Sequence, residues 1–136
     1  MSRTSRDGKL RVGSGGPYEE RYGYSRAVAV GPYVHVAGCT ALIDGVIHHE
    51  GDPYHQAVTA FRFAEKALGE AGLSLQDAVR TRMYIVHARD AEEVGRAHAD
   101  LFGDVRPAAT MLIVSGLVDS GMLVEVEVDA YRGDRA

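Results

Sequence analysis

The sequence predicts an α+β fold, a two-layer sandwich in which two helices cover one face of a mixed six-stranded sheet. Three observations predict it. Patterned segments follow one another in the order β-β-β-α-β-α-β-β. Each helical segment has a single apolar stripe, and so one face to bury. The strands over 79–86 and 123–131 alternate apolar with polar or charged residues, giving the sheet one buried face and one polar face.

Residues 1–17 are polar, basic and rich in Gly and Ser, ending Gly13-Ser14-Gly15-Gly16-Pro17. This composition predicts a flexible arm ahead of a single domain over 18–136. Ala27 to Val30 and Tyr33 to Ala37 form strands joined at Gly31-Pro32. Ile43-Asp44-Gly45-Val46 predicts a further turn, with a short strand at Val46-Ile47. Asp52 caps a helix that opens at Pro53. Its stripe is Ala57, Phe61, Ala64, Leu68 and Ala71, and Gly72 ends it.

In the next strand Val79, Thr81, Met83 and Ile85 share one face, and Arg80, Arg82, Tyr84 and Val86 the other. Asp90 and Glu93 predict a capping box for the second helix. That helix buries Ala91, Val94, Leu101 and either Ala97 or His98, and ends at Gly103. Strands near 110–115 and over 123–131 close the chain. The last has Val124, Val126, Val128 and Ala130 on one face and Glu125, Glu127, Asp129 and Tyr131 on the other.

With 136 residues the chain is long enough for one domain with its own core. A net charge of −4 weighs against a general nucleic-acid binder. No apolar run approaches the roughly 20 residues that span a bilayer, so no membrane partner is expected. The basic N-terminus lacks the apolar segment of a secretory signal, and Cys39 is the single cysteine, so a cytoplasmic, reducing location is expected. His48, His49 and His55 lack zinc-ligand spacing, and no phosphate-binding or dinucleotide glycine pattern occurs. Neither metal nor organic cofactor is expected.

The polar sheet face allows two readings. It is solvated, with Arg80 and Arg82 opposite the acids of the last strand, or it meets its copies in a symmetric oligomer.

Arg106-Pro107-Ala108-Ala109-Thr110-Met111, then Gly116-Leu117-Val118-Asp119, then Leu123-Val124-Glu125-Val126-Glu127-Val128 resembles the C-terminal signature of the Rid family, the YjgF-type reactive-imine deaminases. Tyr24-Ser25-Arg26-Ala27-Val28, Val34-His35-Val36-Ala37-Gly38, Val79 to Tyr84 and Val94 to Phe102 match further segments in the family's order, so the resemblance covers about residues 20–131. It implies a chorismate-mutase-like fold and a homotrimer, with small-molecule clefts at the subunit interfaces.

In deaminating members a glutamate positions the attacking water, and an arginine two residues after the proline holds the substrate carboxylate. Glu125 matches the glutamate; Ala109 stands where the arginine would be. Tyr24 matches the pocket tyrosine, and Met111 a pocket wall. Gly38 ends a strand beside the cleft, and Cys39 follows it. His98 lies where the second helix approaches a neighbour's cleft, and Arg106 is a guanidinium that could replace the missing one.

Each also has a structural reading: ion pairing for Glu125, packing for Tyr24 and Met111, a bulge or turn for Gly38. Cys39 reads as a small buried hydrophobe, His98 as a satisfied half-buried side chain, and Arg106 as a surface residue. The resemblance thus implies hydrolysis of an imine or enamine other than a standard 2-imino acid, with Glu125 positioning water. The alternative is a non-catalytic trimer that binds or senses a metabolite. RNA cleavage, sometimes ascribed to the family, is disfavoured by the acidic charge and the lack of a basic-aromatic stripe.

Overall fold

The computed structural model describes residues 1–133. Its main sheet has seven strands, in the spatial order β1 (Ser2–Arg6), β2 (Lys9–Gly13), β3 (Ala27–Val30), β4 (Tyr33–Cys39), β9 (Val124–Tyr131), β7 (Ala78–Ile85) and β8 (Ala108–Ile113). The helices are α1 (Pro17–Tyr22), α2 (Pro53–Glu70) and α3 (Ala91–Phe102). Among the described residues only β7 and β8 pair in parallel, and α3 lies between them in sequence as their crossover. β5 (Leu42–Ile43) and β6 (Val46–Ile47) form a separate two-stranded ribbon, so the strand expected at Val46-Ile47 exists but lies outside the main sheet.

The α+β sandwich expected from the sequence is therefore present, with seven strands in place of six. The difference comes from residues 1–17, where two strands form in place of the expected arm, while the strand expected at Val46-Ile47 lies outside this sheet. Asp7 and Gly8 both adopt positive φ, 57° and 73°, as a two-residue hairpin turn requires. The turn pairs Arg6 with Lys9 and adds two strands to the sheet. β1 is exposed on both faces and has no apolar side chain, which gave the segment the composition of a loop. Val12 of β2 is nonetheless fully buried in the core.

Asp52 caps α2 as expected, its carboxylate accepting from the His55 N–H at 3.0 Å. Ala57, Phe61, Ala64 and Leu68 of its stripe are fully buried against Val34 and Val36 of β4 and the alternate residues Val124, Val126, Val128 and Ala130 of β9. Gln56 on the same helix is buried too. Its side-chain amide donates to the His49 and Gly121 carbonyls at 3.2 and 3.0 Å and accepts from the Leu123 N–H at 2.9 Å, tying α2 to the start of β9. All the polar capacity that matters in this buried amide is met.

Three local expectations are corrected. β7 has a register shift between Ala78, opposite Ala130, and Arg80, opposite Asp129. The extra residue bulges, so Ala78 is buried and Val79 faces outward, 47% exposed. Asp90 makes no capping bond. A 3-10 turn over 88–90 delivers it already in helical dihedrals (φ −88°, ψ −4°), whereas a side-chain cap reaches back from an extended residue. Glu93 pairs instead with Arg96 at 2.7 Å, and the capping box falls at Ser74 and Asp77. Gly103 stays right-handed; the reversal after α3 comes at Arg106 (φ 55°), whose N–H bonds the Phe102 carbonyl at 2.8 Å.

On the polar face Arg82 pairs with Asp129 at 2.9 Å and Glu127 at 3.7 Å, and His35 with Asp129 at 2.8 Å. Arg80 donates to Thr110 at 2.9 Å. Burial alone would raise the Asp129 pKa, but the bonds from His35 and Arg82 outweigh it and hold the carboxyl low. Glu125 faces Tyr84 across the strands, and among the described residues it has no ion pair with Arg80 or Arg82. The expected charge pairing therefore belongs to its neighbours.

Candidate functional site

The site starts from a bulge in β4. Val36 pairs with Val128 and Cys39 with Val126, leaving Ala37 and Gly38 against a single residue of β9. The Glu125 side chain lies directly over Gly38. A Cβ added there would stand 2.8 Å from Glu125 Cδ and 3.2 Å from Cγ. Glycine is thus needed for close approach. Gly38→Ala is expected to push the carboxylate out of place and to destabilise the chain by about 1–3 kcal/mol, as overpacked sites do. Urea unfolding checks the stability, and binding to the Glu125 cavity checks the displacement.

Arg26 backs this bulge. It is buried and paired with the equally buried Glu19 at 3.3 Å. Both Nε–H and Nη2–H donate to Glu19 Oε2, and Nη1–H donates to the Gly38 carbonyl. The guanidinium lies 5.6 and 5.2 Å from the ring centroids of Tyr24 and Phe63. Glu19 also accepts from the Ser14 N–H at 3.0 Å and from its hydroxyl. The pair therefore ties α1 and the Gly-rich turn before it to the floor beneath Glu125. Sequence reasoning missed both residues. The available signal was an arginine directly ahead of the buried Ala27 of β3, with a glutamate seven residues earlier.

Above the floor opens a cavity of about 950 Å³. Glu125, Gly38 and Cys39 line it together with the rings of Tyr18, Tyr22, Tyr24 and Phe63 and the cations Arg26, Arg62 and Lys66. Burial and the nearby Glu127 charge raise the Glu125 pKa, and Arg26 offsets part of the rise. Burial pushes the Cys39 thiol up to about 11 against the opposing pull of Arg26. Cys39 is therefore a protonated wall residue at neutral pH, without the thiolate a nucleophile needs.

Of the residues singled out in the sequence, the structure brings Tyr24, Gly38, Cys39 and Glu125 into this cavity. Four others lie outside it within one chain. His98 bonds Thr81 through Nε2 at 2.8 Å and packs against Phe61 and Phe102, and burial lowers its pKa. Arg106 is exposed at the α3–β8 turn. Ala109 is exposed on β8, in register with Thr81. Met111 is half-buried against the core. Among the described residues no cluster of three His, Cys, Asp or Glu is arranged to hold a metal ion, and no helix is long and apolar enough to cross a membrane.

A half-buried carboxylate of raised pKa in a cavity can take a proton from water. An electrophilic carbon held above it would meet that water. No side chain in the arrangement is placed for covalent catalysis through Cys39.

Comparison with known proteins places the fold in a family. The family model described as endoribonuclease L-PSP matches residues 18–132. An uncharacterized protein of Streptomyces coelicolor is 51% identical, with 90% of this chain and 92% of that protein covered. A RutC family protein of Pyrococcus abyssi is 32% identical, over 80% and 86% of the two chains. The crystal structure of a Mycobacterium tuberculosis member of the YjgF/YER057c/UK114 family superposes with a TM-score of 0.82 at 45% identity, covering 90% of this chain and 98% of that one. A Yersinia pestis protein of unknown function from the Rid family superposes with a TM-score of 0.74 at 27% identity, over 80% and 87%. With the match over 18–132 and the shared fold, this chain belongs to the endoribonuclease L-PSP family of YjgF/Rid-type proteins.

Proposed function

We propose that the chain forms a homotrimer whose intersubunit clefts bind a small metabolite, and that Glu125 positions water there to hydrolyse a reactive imine or enamine. The observation that carries this reading is the Glu125 carboxylate seated on Gly38 at the floor of a 950 Å³ cavity, with its pKa raised. A protonated imine carbon is already electrophilic, so the reaction needs a placed water and a base but no metal or organic cofactor.

The trimer reading is supported by surface that a single chain leaves open. Leu112 and Ile113 on the edge strand β8 are 51% and 62% exposed, and Val118 is 76% exposed. Ala109 and Met111 lie on that same strand and outside the Glu125 cavity of their own chain. In the trimer β8 of one copy would complete the cleft of the next. Sedimentation equilibrium is expected to give the mass of three chains; a monomer would contradict the interface cleft.

With Ala109 at the arginine position, a standard 2-imino acid has no guanidinium from β8. The same residue favours a second reading, a trimer that binds a metabolite without turning it over. One assay separates the two. Amino-acid and amine oxidases generate imines in situ, and their loss is followed with and without the protein. Loss faster than buffer is expected for at least one imine, and Ala109→Arg is expected to raise the 2-imino-acid rate roughly tenfold or more, the effect of one charge-assisted pair of about 1.5–3 kcal/mol. Rates equal to buffer across the whole set would leave only the binding role.

A further inference from the structure

We propose that α2 carries an anion subsite at the rim of this cavity, and that the ligand it selects is an ω-imino acid, whose carboxylate lies several bonds from the imine carbon. The choice of ligand rests on the cations of a single chain; the hydrolysis of that ligand rests on the Glu125 reading.

The subsite follows from the helix. Thr59, Arg62, Phe63 and Lys66 all line the cavity, and their spacing of i, i+3, i+4 and i+7 places them on one stripe of α2. Phe63 is the inner member, partly buried against the core. Arg62 and Lys66 are exposed. Among the described residues Lys66 makes no ion pair. Arg62 is paired at 2.9 Å with Glu65 of the same helix, an exposed pair weak enough for a ligand anion to compete with.

The floor carries the opposite charge. Glu125 lies over Gly38, and Arg26 links this floor to α2: its Nη1–H donates to the Gly38 carbonyl, and its guanidinium lies 5.2 Å from the Phe63 ring centroid. The charge of Arg26 is met by the buried Glu19. The tyrosine rings are met as well, Tyr18 and Tyr22 by Arg21 at 6.0 and 5.2 Å and Tyr24 by Arg26 at 5.6 Å, so they offer no open cation site. Asp44, the other acid of the lining, lies on the exposed turn of the β5–β6 ribbon. The cavity is therefore dipolar, with a carboxylate on its floor, Arg62 and Lys66 along the α2 rim and Phe63 on the stripe beside them.

A 2-imino acid cannot use both ends. Its carboxylate is bonded to the carbon that water attacks, so bringing that carbon to Glu125 sets two carboxylates side by side. An imine with no carboxylate leaves the rim unused. In an ω-imino acid the iminium meets Glu125, the methylene chain lies along Phe63, and the carboxylate reaches Lys66 and Arg62. Such imines form when an ω-amino acid is oxidised at its terminal amine.

The step balances without any redox partner. Water adds its oxygen to the iminium carbon as one proton passes to Glu125, giving a carbinolamine. Glu125 returns that proton to the nitrogen, the C–N bond breaks, and the hydroxyl proton leaves with the ammonia. The products are an ω-oxo acid and ammonium.

Binding is tested separately from hydrolysis, by calorimetric titration of the full chain. The stable probes are 4-aminobutanoate and 6-aminohexanoate for the ω-imino acid, alanine for the 2-imino acid and butylammonium for an imine without a carboxylate. At least one ω-amino acid is expected to bind tenfold or more tighter than alanine and butylammonium. Lys66→Gln is expected to weaken it about fivefold, the scale of one exposed ion pair, and Arg62→Gln/Lys66→Gln further, with butylammonium unchanged within about twofold. Lys9→Gln removes the same charge from exposed β2, outside this cavity, and is expected to leave every affinity unchanged. Alanine or butylammonium binding as tightly as both ω-amino acids, or full affinity in the double variant, would overturn the proposal even if some imine is hydrolysed. An equal loss in Lys9→Gln would also overturn it, by reducing the effect to net charge. Selective binding that depends on Lys66, without turnover of any imine, would retain the subsite and remove the hydrolase reading.

Discussion

Glu125→Gln is expected to slow imine hydrolysis by about 10²-fold or more, the usual contribution of a positioned base, while making the folded chain more stable at neutral pH. Both effects come from one observation, the raised pKa of a carboxyl half-buried over Gly38. The unfolded chain titrates this group at its ordinary value, so in the window between that value and the raised one the folded chain binds more protons. Stability therefore falls as pH rises through the window, and above it the full cost of holding the charge is present. Glutamine has no charge to hold. The melting temperature of Glu125→Gln should exceed that of the wild type above the window, and the gap should shrink as pH falls below it. Activity runs the other way, since the base must be unprotonated and the wild-type rate rises with pH through the same window. Thermal melts and imine-loss rates across one pH series check both at once. A residue that merely filled space would give neither trend.

Arg26→Met is expected to destabilise the chain by about 3–5 kcal/mol, because it leaves the Glu19 charge buried without its partner. Both side chains are 9% exposed, so water screens little of the loss. The Gly38 carbonyl would lose its donor as well, and the bulge beneath Glu125 its fixed shape. The double variant Glu19→Gln/Arg26→Met should recover much of the stability, since it removes both charges together. Urea midpoints of the two single variants and the double form the cycle that measures this coupling. If Arg26→Met unfolds at the wild-type midpoint, the pair does not hold α1 to the floor.

Much of the fold was legible because its signals are local. The Val124, Val126, Val128 and Ala130 alternation, the Asp52-Pro53 start and the turn at Gly31-Pro32 each follow from backbone preference or from a single period. The N-terminal hairpin was missed because Ser2–Arg6 has no apolar face, and its Asp7-Gly8 turn was outweighed by a polar composition. Val79 and Asp90 were misplaced by a bulge and by a 3-10 turn, features set by how neighbouring elements meet.

The candidate site divides along the same line. Glu125, Gly38 and Tyr24 were found through the family resemblance, and the cavity gathers them. The Glu19–Arg26 pair and the aromatic wall of Tyr18, Tyr22 and Phe63 were not, because only the folded chain brings α1, α2 and the β4 bulge together. Arg106, Ala109 and Met111 lie elsewhere in the single chain, outside that cavity.

The claim that Glu125 activates water in this cavity is tested most directly by one comparison. The loss of an imine that the protein turns over, generated in situ, is timed for the wild type and for Glu125→Gln, at a pH above the carboxyl's titration. The account predicts loss well above the buffer rate for the wild type and close to it for the variant. Loss as fast with Glu125→Gln as with the wild type, or wild-type loss no faster than buffer, would contradict it.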